Sequence, residues 1–402
     1  MVKTTTSALF EPLHIGGIHL SHRIVLAPLT RFRTDEDQIP VPFVKDYYSQ
    51  RASTPGTLLI SEAAVVSRHA GSITHMPEFW SDAQIAAWKP IVDAVHAKGS
   101  YIFLQLCGNG RAAFFAEREK DGLDLIGPSA IPIGAATQGT GVVSSSEDAP
   151  GPRAMTEEEI WQAIDDFAQA AKHAVETAGF DGVEIHACNG HLLDQFIQDN
   201  SNQRTDAWGG SIENRSQFPL EIIRAIGAQI GKDKVSIRLS PWSTYLSMRM
   251  ADPIPQFTHL IQELSALGIA YLHLIEPRIA GDSFVESSEV ESNLSFLEAW
   301  GDDRPVIVAG GYTAKSALKA LGPGGVYEGK KIAVAFGRPF VSNPDLVYRA
   351  KKGIQFAPYD RTTFYEVGSE KGYVDYEFSE EFKSELGSGR ISTLASRLYQ
   401  TS

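Results

Sequence analysis

Cysteine is nearly missing from this chain: Cys107 and Cys188 are the only two in 402 residues. Two thiols cannot build a disulfide framework, no Cys/His spacing suits a metal site, and the usage fits a reducing, cytoplasmic setting. Basic residues are also short. The 36 Lys and Arg face 49 Asp and Glu, a formal net charge of −13. That deficit argues against general binding to nucleic acid or anionic membrane, while leaving room for a local basic pocket. No apolar run is long enough to span a bilayer, and the first residues, MVKTTTSALFEP, hold no apolar signal-peptide core. Neither a P-loop nor a G-x-G-x-x-G at the start of a βαβ unit occurs. A tightly held dinucleotide on a Rossmann sheet is therefore not expected.

Hydrophobic residues make up 43% of the chain, enough for a large core. They fall in short apolar runs that alternate with longer helical patterns, the mark of βα units around a parallel sheet. The runs predict strands at Ile24–Leu29, Thr57–Glu62, Tyr101–Leu106, Gly182–His186, Val235–Leu239, Tyr271–Ile275, Pro305–Ala309 and Ile332–Phe336. Each has few interior charges, as a strand covered on both faces requires. Helix starts are marked by Ser81, by Thr156 with Glu159, by Ser211, by Pro253 and by Thr313. Eight such units predict an α/β fold, a single-domain (β/α)8 TIM barrel over residues 1–402. Outside the bare barrel lie a hairpin at His14–Arg23, expected to plug its bottom, and long loops after the third strand (Asp121–Arg153) and the sixth (Arg278–Asn293). An aromatic-rich tail from Asp360 is expected to pack.

In a barrel the chemistry sits where strands end. The second strand ends near Ala63, where small residues suit the close approach of a flat ring. The third brings Gln105, whose buried amide needs partners. The fourth delivers His186 and Asn189, two donors that can converge on one carbonyl oxygen and stabilise the charge that develops there. The fifth ends in Arg238, a cation that needs either a carboxylate or an anionic ligand. The seventh and eighth run into Gly310, Gly311, Gly337 and Arg338, where backbone N–H groups and a guanidinium can hold a phosphate.

The stretch after the fourth strand carries His186, Asn189, Gly190, His191, Leu192, Leu193, Gln195 and Phe196, then Asn202, Arg204, Asp206, Trp208, Gly209, Gly210, Ser211, Asn214 and Arg215. It resembles the signature of the Old Yellow Enzyme family, FMN-dependent ene-reductases on a TIM barrel. Further matches are LAPLTRFR around Thr30, QLCGNGR from Gln105, SIRLSP around Arg238 and GRPFVSNPDL from Gly337. The resemblance covers roughly Leu9 to Tyr376 and implies FMN as cofactor and NADPH or NADH as hydride donor. It also implies a small-molecule substrate, an enal, an enone or a specialised metabolite, whose activated C=C is reduced. It places Pro28, Leu29 and Thr30 at the flavin ring, Phe364 packed on the flavin, and Tyr365 in the substrate pocket. Phe284, in the sixth loop, is a candidate cover for that pocket. A monomer or homodimer that binds neither nucleic acid nor membrane is expected.

Two positions depart from the family pattern. The family's Trp is Cys107 here, which either enlarges the pocket or fills it as an inert small hydrophobe. The family's proton-donating Tyr is His191. Three readings compete at His191: it donates the proton itself, water donates it, or the reaction is redirected toward isomerisation, dehydrogenation or rearrangement.

Overall fold

The computed structural model describes residues 7–134, 150–281, 283–285 and 291–388. Its centre is a closed barrel of eight parallel strands, each beside its neighbours in chain order. These are Ile24–Leu26, Leu58–Val65, Tyr101–Cys107, Gly182–Ala187, Val235–Leu239, Tyr271–Ile275, Val306–Ala309 and Ile332–Phe336. They are called the first to eighth strands below.

Two boundaries differ from the sequence expectation by more than one residue, each for a local reason. The first strand stops at Leu26, short of Pro28, which has no N–H to add to the ladder. The second runs on to Val65 across a bulge between Ile60 and Ala63. At that bulge the Ser61 hydroxyl accepts from the Gln105 N–H at 2.9 Å and the Tyr48 hydroxyl accepts from the Glu62 N–H at 2.9 Å. Side chains thus take over two ladder bonds, and the strand resumes beyond them.

The helices begin where their caps predict. Ser81 and Gln84 form a capping box before Asp82–His96, and Thr156 and Glu159 do so before Glu157–His173. The last turn of the latter widens into a π turn at Ala174–Ala178 and ends on left-handed Gly179. Ser211 caps Ile212–Ile230, and Pro253 opens a helix to Leu267.

The hairpin expected at the bottom is formed by Leu13–Ile15 and Ile18–Leu20. Its four apolar side chains pack with Val25, Leu58, Phe103, Tyr271, Ile307 and Ala333 from six strands, closing the amino end of the barrel. The long third loop is described to Gly134 and again from Pro150. Residues 135–149 of that loop, and Asp282 and residues 286–290 of the sixth, lie outside the described residues.

The tail is packed, and arginines fasten it. Arg31 donates to the Phe364 carbonyl at 3.0 Å and to the Gly372 carbonyl at 2.7 Å. Arg33 donates to the carbonyls of Thr363 at 2.9 Å, Phe364 at 3.2 Å, Ser369 at 2.7 Å and Lys371 at 3.2 Å. Tyr373 stacks on Tyr47, ring centroids 4.2 Å apart. The motif that carries Thr30 therefore also carries the clamp that brings Phe364 and Tyr365 to the barrel rim. Arg33→Leu would take the donor from the Thr363, Ser369 and Lys371 carbonyls, and we expect a loss of about 3–5 kcal/mol in urea unfolding, with faster proteolysis inside residues 360–388. Unchanged stability would show that the clamp contributes nothing.

Candidate active site

The carboxyl ends of the strands meet around one cavity, ≈ 1320 Å³ counting its open mouth. Under its floor lies a polar group the sequence reading did not single out. The buried Glu184 carboxylate accepts from Gln105 Nε2 at 2.7 Å, from the Tyr271 hydroxyl at 2.9 Å and from His273 Nδ1 at 2.8 Å. Tyr271 and His273 stand on the sixth strand, which does not adjoin the fourth, so these bonds cross the barrel interior. Burial works to raise the Glu184 pKa, yet His273, Arg238 and Gln105 together hold it below the ordinary value. The group is an anion. Because Gln105 spends its N–H on Glu184, its carbonyl oxygen is the group left for the cavity.

Arg238 stands beside His186 and His273 in the sheet register. Among the described residues no carboxylate forms an ion pair with it, and its Nε is buried without a partner. The ion-pair alternative raised for this residue is therefore not what the structure holds.

The turn after the fourth strand is built to aim side chains. Asn189 takes a left-handed φ of 55° and Gly190 one of 75°. The Asn189 N–H donates to the Ser240 hydroxyl at 2.8 Å. A Cβ on Gly190 would come within 2.6 Å of Leu246, so only glycine fits. The Asn189 side-chain oxygen is buried without a partner, while its NH2 group is not among the buried atoms and opens to the cavity.

His186 and His191 lie with ring centroids 4.5 Å apart at 60°. Burial, His191 and Arg238 push the His186 pKa well below the usual imidazole value. Burial lowers that of His191 to about 4. Both rings are neutral at neutral pH. His186 Nδ1 lies 3.3 Å from the Cys188 sulfur. Burial pushes the Cys188 thiol up to about 12, so it keeps its proton. The S–H can then donate to Nδ1, which leaves Nε2–H as the donor His186 offers the cavity. His191 Nδ1 lies 2.9 Å from Asn109 Oδ1.

Most of the expected residues line this cavity: Pro28, Leu29 and Thr30; Gln105, His186, Asn189, His191 and Arg238; and Gly310, Gly311, Gly337 and Arg338, with Phe364 and Tyr365 from the tail. Two expectations need correction. Ala63 is buried and is not among the residues that line the cavity. Cys107 is also buried behind the wall, its sulfur 3.6 Å from Asn109 Oδ1, and so does not widen the pocket directly. Phe284 has its backbone paired with Ile279 in a small hairpin, and its side chain lies outside what is described. Ile279, Gly281 and Tyr245 line the cavity on that side.

The glycine of the seventh turn has a reason of its own. A Cβ on Gly310 would meet the Glu276 side chain at 2.5 Å. Glu276 is held by the hydroxyls of Tyr312 and, at 2.8 Å, Tyr327. Arg278 donates to the Gly310 carbonyl at 2.5 Å and packs over the Tyr312 ring. Glu184, Arg278, Tyr312 and Asn109 are site-building residues to which sequence reasoning gave no role. Glu184 sits inside an apolar run, Arg278 and Tyr312 lie in loops without pattern, and Asn109 sat in a quoted motif with no signal for its partner. No cluster of metal ligands occurs among the described residues.

Replacing Cys188 by Ala would take the donor away from His186 Nδ1. Imidazole nitrogen NMR with labelled histidine is expected to show His186 moving from one tautomer to a mixture. An unchanged spectrum would show that Cys188 does not set it.

These residues fit FMN. The unpartnered Arg238 Nε suits an anionic ring edge, the Gln105 oxygen suits an imide N–H, and the turns of the seventh and eighth strands end the same cavity with Arg338. The model of the NADH:flavin oxidoreductase / NADH oxidase family matches residues 8–356. A chanoclavine-I aldehyde reductase of Penicillium roqueforti is 50% identical over 379 residues, 94% of this chain and 98% of that protein. A probable inactive reductase of Epichloe festucae var. lolii is 49% identical over 384 residues, 95% of this chain and 98% of that protein. The crystal structure of Old Yellow Enzyme from a Pichia species superposes with a TM-score of 0.82 at 36% identity, covering 93% of this chain and 94% of that one. Cavity, donor set and likeness along nearly the whole chain agree: this protein belongs to the NADH:flavin oxidoreductase / NADH oxidase family, as an FMN-dependent oxidoreductase of the Old Yellow Enzyme type.

Proposed function

We propose that this enzyme reduces the activated C=C of an α,β-unsaturated carbonyl compound in specialised metabolism, with NAD(P)H as the reductant. When bound, FMN supplies the redox chemistry, accepting a hydride from NAD(P)H and delivering it to the β-carbon of the alkene. The protein's part is to orient and polarise. His186 Nε2–H and the Asn189 NH2 group converge on the substrate oxygen and stabilise the enolate that develops as the β-carbon is reduced. A neutral His186 suits this, because it donates without surrendering its proton. Arg238, Gln105 and Thr30 would hold the ring of FMN, and Gly310, Gly311, Gly337 and Arg338 would hold its phosphate. Phe364 would pack on the flavin, and Tyr365 walls the substrate space.

The observation that carries this reading is the pair of donors on His186 and Asn189, open to one cavity beside the unpartnered Arg238 Nε. The α-carbon must gain a proton, and a neutral His191 with Nδ1 engaged is a poor source, so water supplies it. The same observation favours a second reading, in which the bound molecule is isomerised or rearranged rather than reduced. A soluble cytoplasmic monomer or homodimer completes the proposal. No helix among the described residues is long and apolar enough to cross a membrane.

The purified protein should be yellow and release FMN on denaturation. Under anaerobic conditions NADPH should bleach the flavin band, and a cyclic enone should restore it with one saturated product per flavin. A flavin that stays reduced with every enone would favour the second reading. His186→Ala should slow the enone step by about 10²–10³-fold. The rate of that step should show no titration near the ordinary histidine value. Burial depresses the His191 pKa to about 4, so the ring is already deprotonated across the range from about pH 5.5 to pH 8. A rate that falls as pH rises through about 6.5 would instead make His191 the acid.

A further inference from the structure

His191 faces the cavity with the polarity opposite to that of His186. The cause is the orientation of Asn109. Asn109 Nδ2 donates to the Gly71 carbonyl at 3.0 Å, which turns Oδ1 toward His191. The Cys107 thiol, 3.6 Å from the same oxygen, is another donor directed at it. An oxygen can only accept, so His191 Nδ1, 2.9 Å away, carries the proton of the neutral ring. His191 Nε2 is then a bare lone pair. It makes no hydrogen bond among the described residues, and none joins it to His186 despite the 4.5 Å separation of the rings. Asn109 is fully buried, so its amide cannot turn without breaking these contacts.

The rim thus sets an N–H donor and a nitrogen acceptor side by side on one cavity. We propose that His191 is a specificity residue rather than an acid: its Nε2 accepts a hydrogen bond from a hydroxyl or amine N–H that the substrate carries close to its unsaturated carbonyl. Asn109 is the residue that positions it. The inference rests on the enone-reduction reading and narrows its substrate class. A molecule with both groups satisfies His186, Asn189 and His191 at once. One that lacks the second donor leaves a buried lone pair dry, and a site built around a hydrogen bond discriminates against analogues without it.

Two measurements test this. In the FMN-loaded wild-type enzyme with labelled histidine, imidazole nitrogen NMR at neutral pH should show His191 protonated at Nδ1 and bare at Nε2. The reverse tautomer, or an imidazolium, overturns the inference whatever the activity. In the second, reduced enzyme is mixed anaerobically with 2-(hydroxymethyl)cyclohexenone or with its methyl ether. The alcohol should be favoured by about tenfold in kcat/KM for flavin reoxidation, and the preference should vanish in His191→Phe. Equal rates in the wild type, or a preference that survives in His191→Phe, overturn the inference while leaving enone reduction standing. If neither probe nor any simple enone reoxidises the flavin, the enone reading itself falls and this substrate class falls with it.

Discussion

A single buried carboxylate organises the active end of this barrel. Glu184 lies inside the closed sheet, where an uncompensated charge would cost several kcal/mol. It is tolerated because donors from the third and sixth strands reach it and because Arg238 stands nearby on the fifth. The consequences run upward to the cavity. Gln105 is turned so that its oxygen is free. Arg238 gains an interior counter-charge without a direct ion pair among the described residues, and it lines the cavity uncommitted to a carboxylate. His186, two residues beyond Glu184 on the same face of the strand, inherits its direction from that alternation.

Above this layer, function depends on neutral hydrogen-bonding groups whose polarity is fixed by neighbours. Cys188 lies two residues from His186 and touches its Nδ1, whereas Asn109 comes from the third strand's loop to touch the Nδ1 of His191. Two imidazoles of the same type and similar burial thus present opposite faces. The tail is part of the same construction, since Phe364 and Tyr365 reach the cavity only because Arg31 and Arg33 bind the carbonyls around them.

The architecture was legible in the sequence because its signals are local. Apolar runs such as Val235–Leu239 and capping pairs such as Thr156 with Glu159 report on their own segments, and both matched the observed boundaries. The rim residues Gln105, His186 and Arg238 were legible for a related reason, since each is a polar residue at the end of an apolar run. What escaped depends on partners distant in sequence. Glu184 meets Tyr271 and His273 across 87 and 89 residues. Asn109 meets His191 across 82. The bulge beside Ala63 depends on the Tyr48 hydroxyl. The clamp on the tail spans more than 300 residues, and the motif read for Thr30 gave no hint that its arginines served another segment.

The central claim is that this rim directs net alkene reduction, with carbonyl polarisation by His186 and Asn189 and a solvent proton at the α-carbon. Isotope placement tests it most directly. A single turnover on cyclohexenone with NADPH deuterated at its transferable position should place that deuterium on the product's β-carbon. The same turnover with ordinary NADPH in deuterium oxide should place solvent deuterium on the α-carbon. A saturated ketone labelled at the β-carbon in the first turnover and at the α-carbon in the second is the predicted result. An isomerised or unchanged carbonyl product, or a saturated ketone whose β-carbon carries no label from NADPH, would contradict the account.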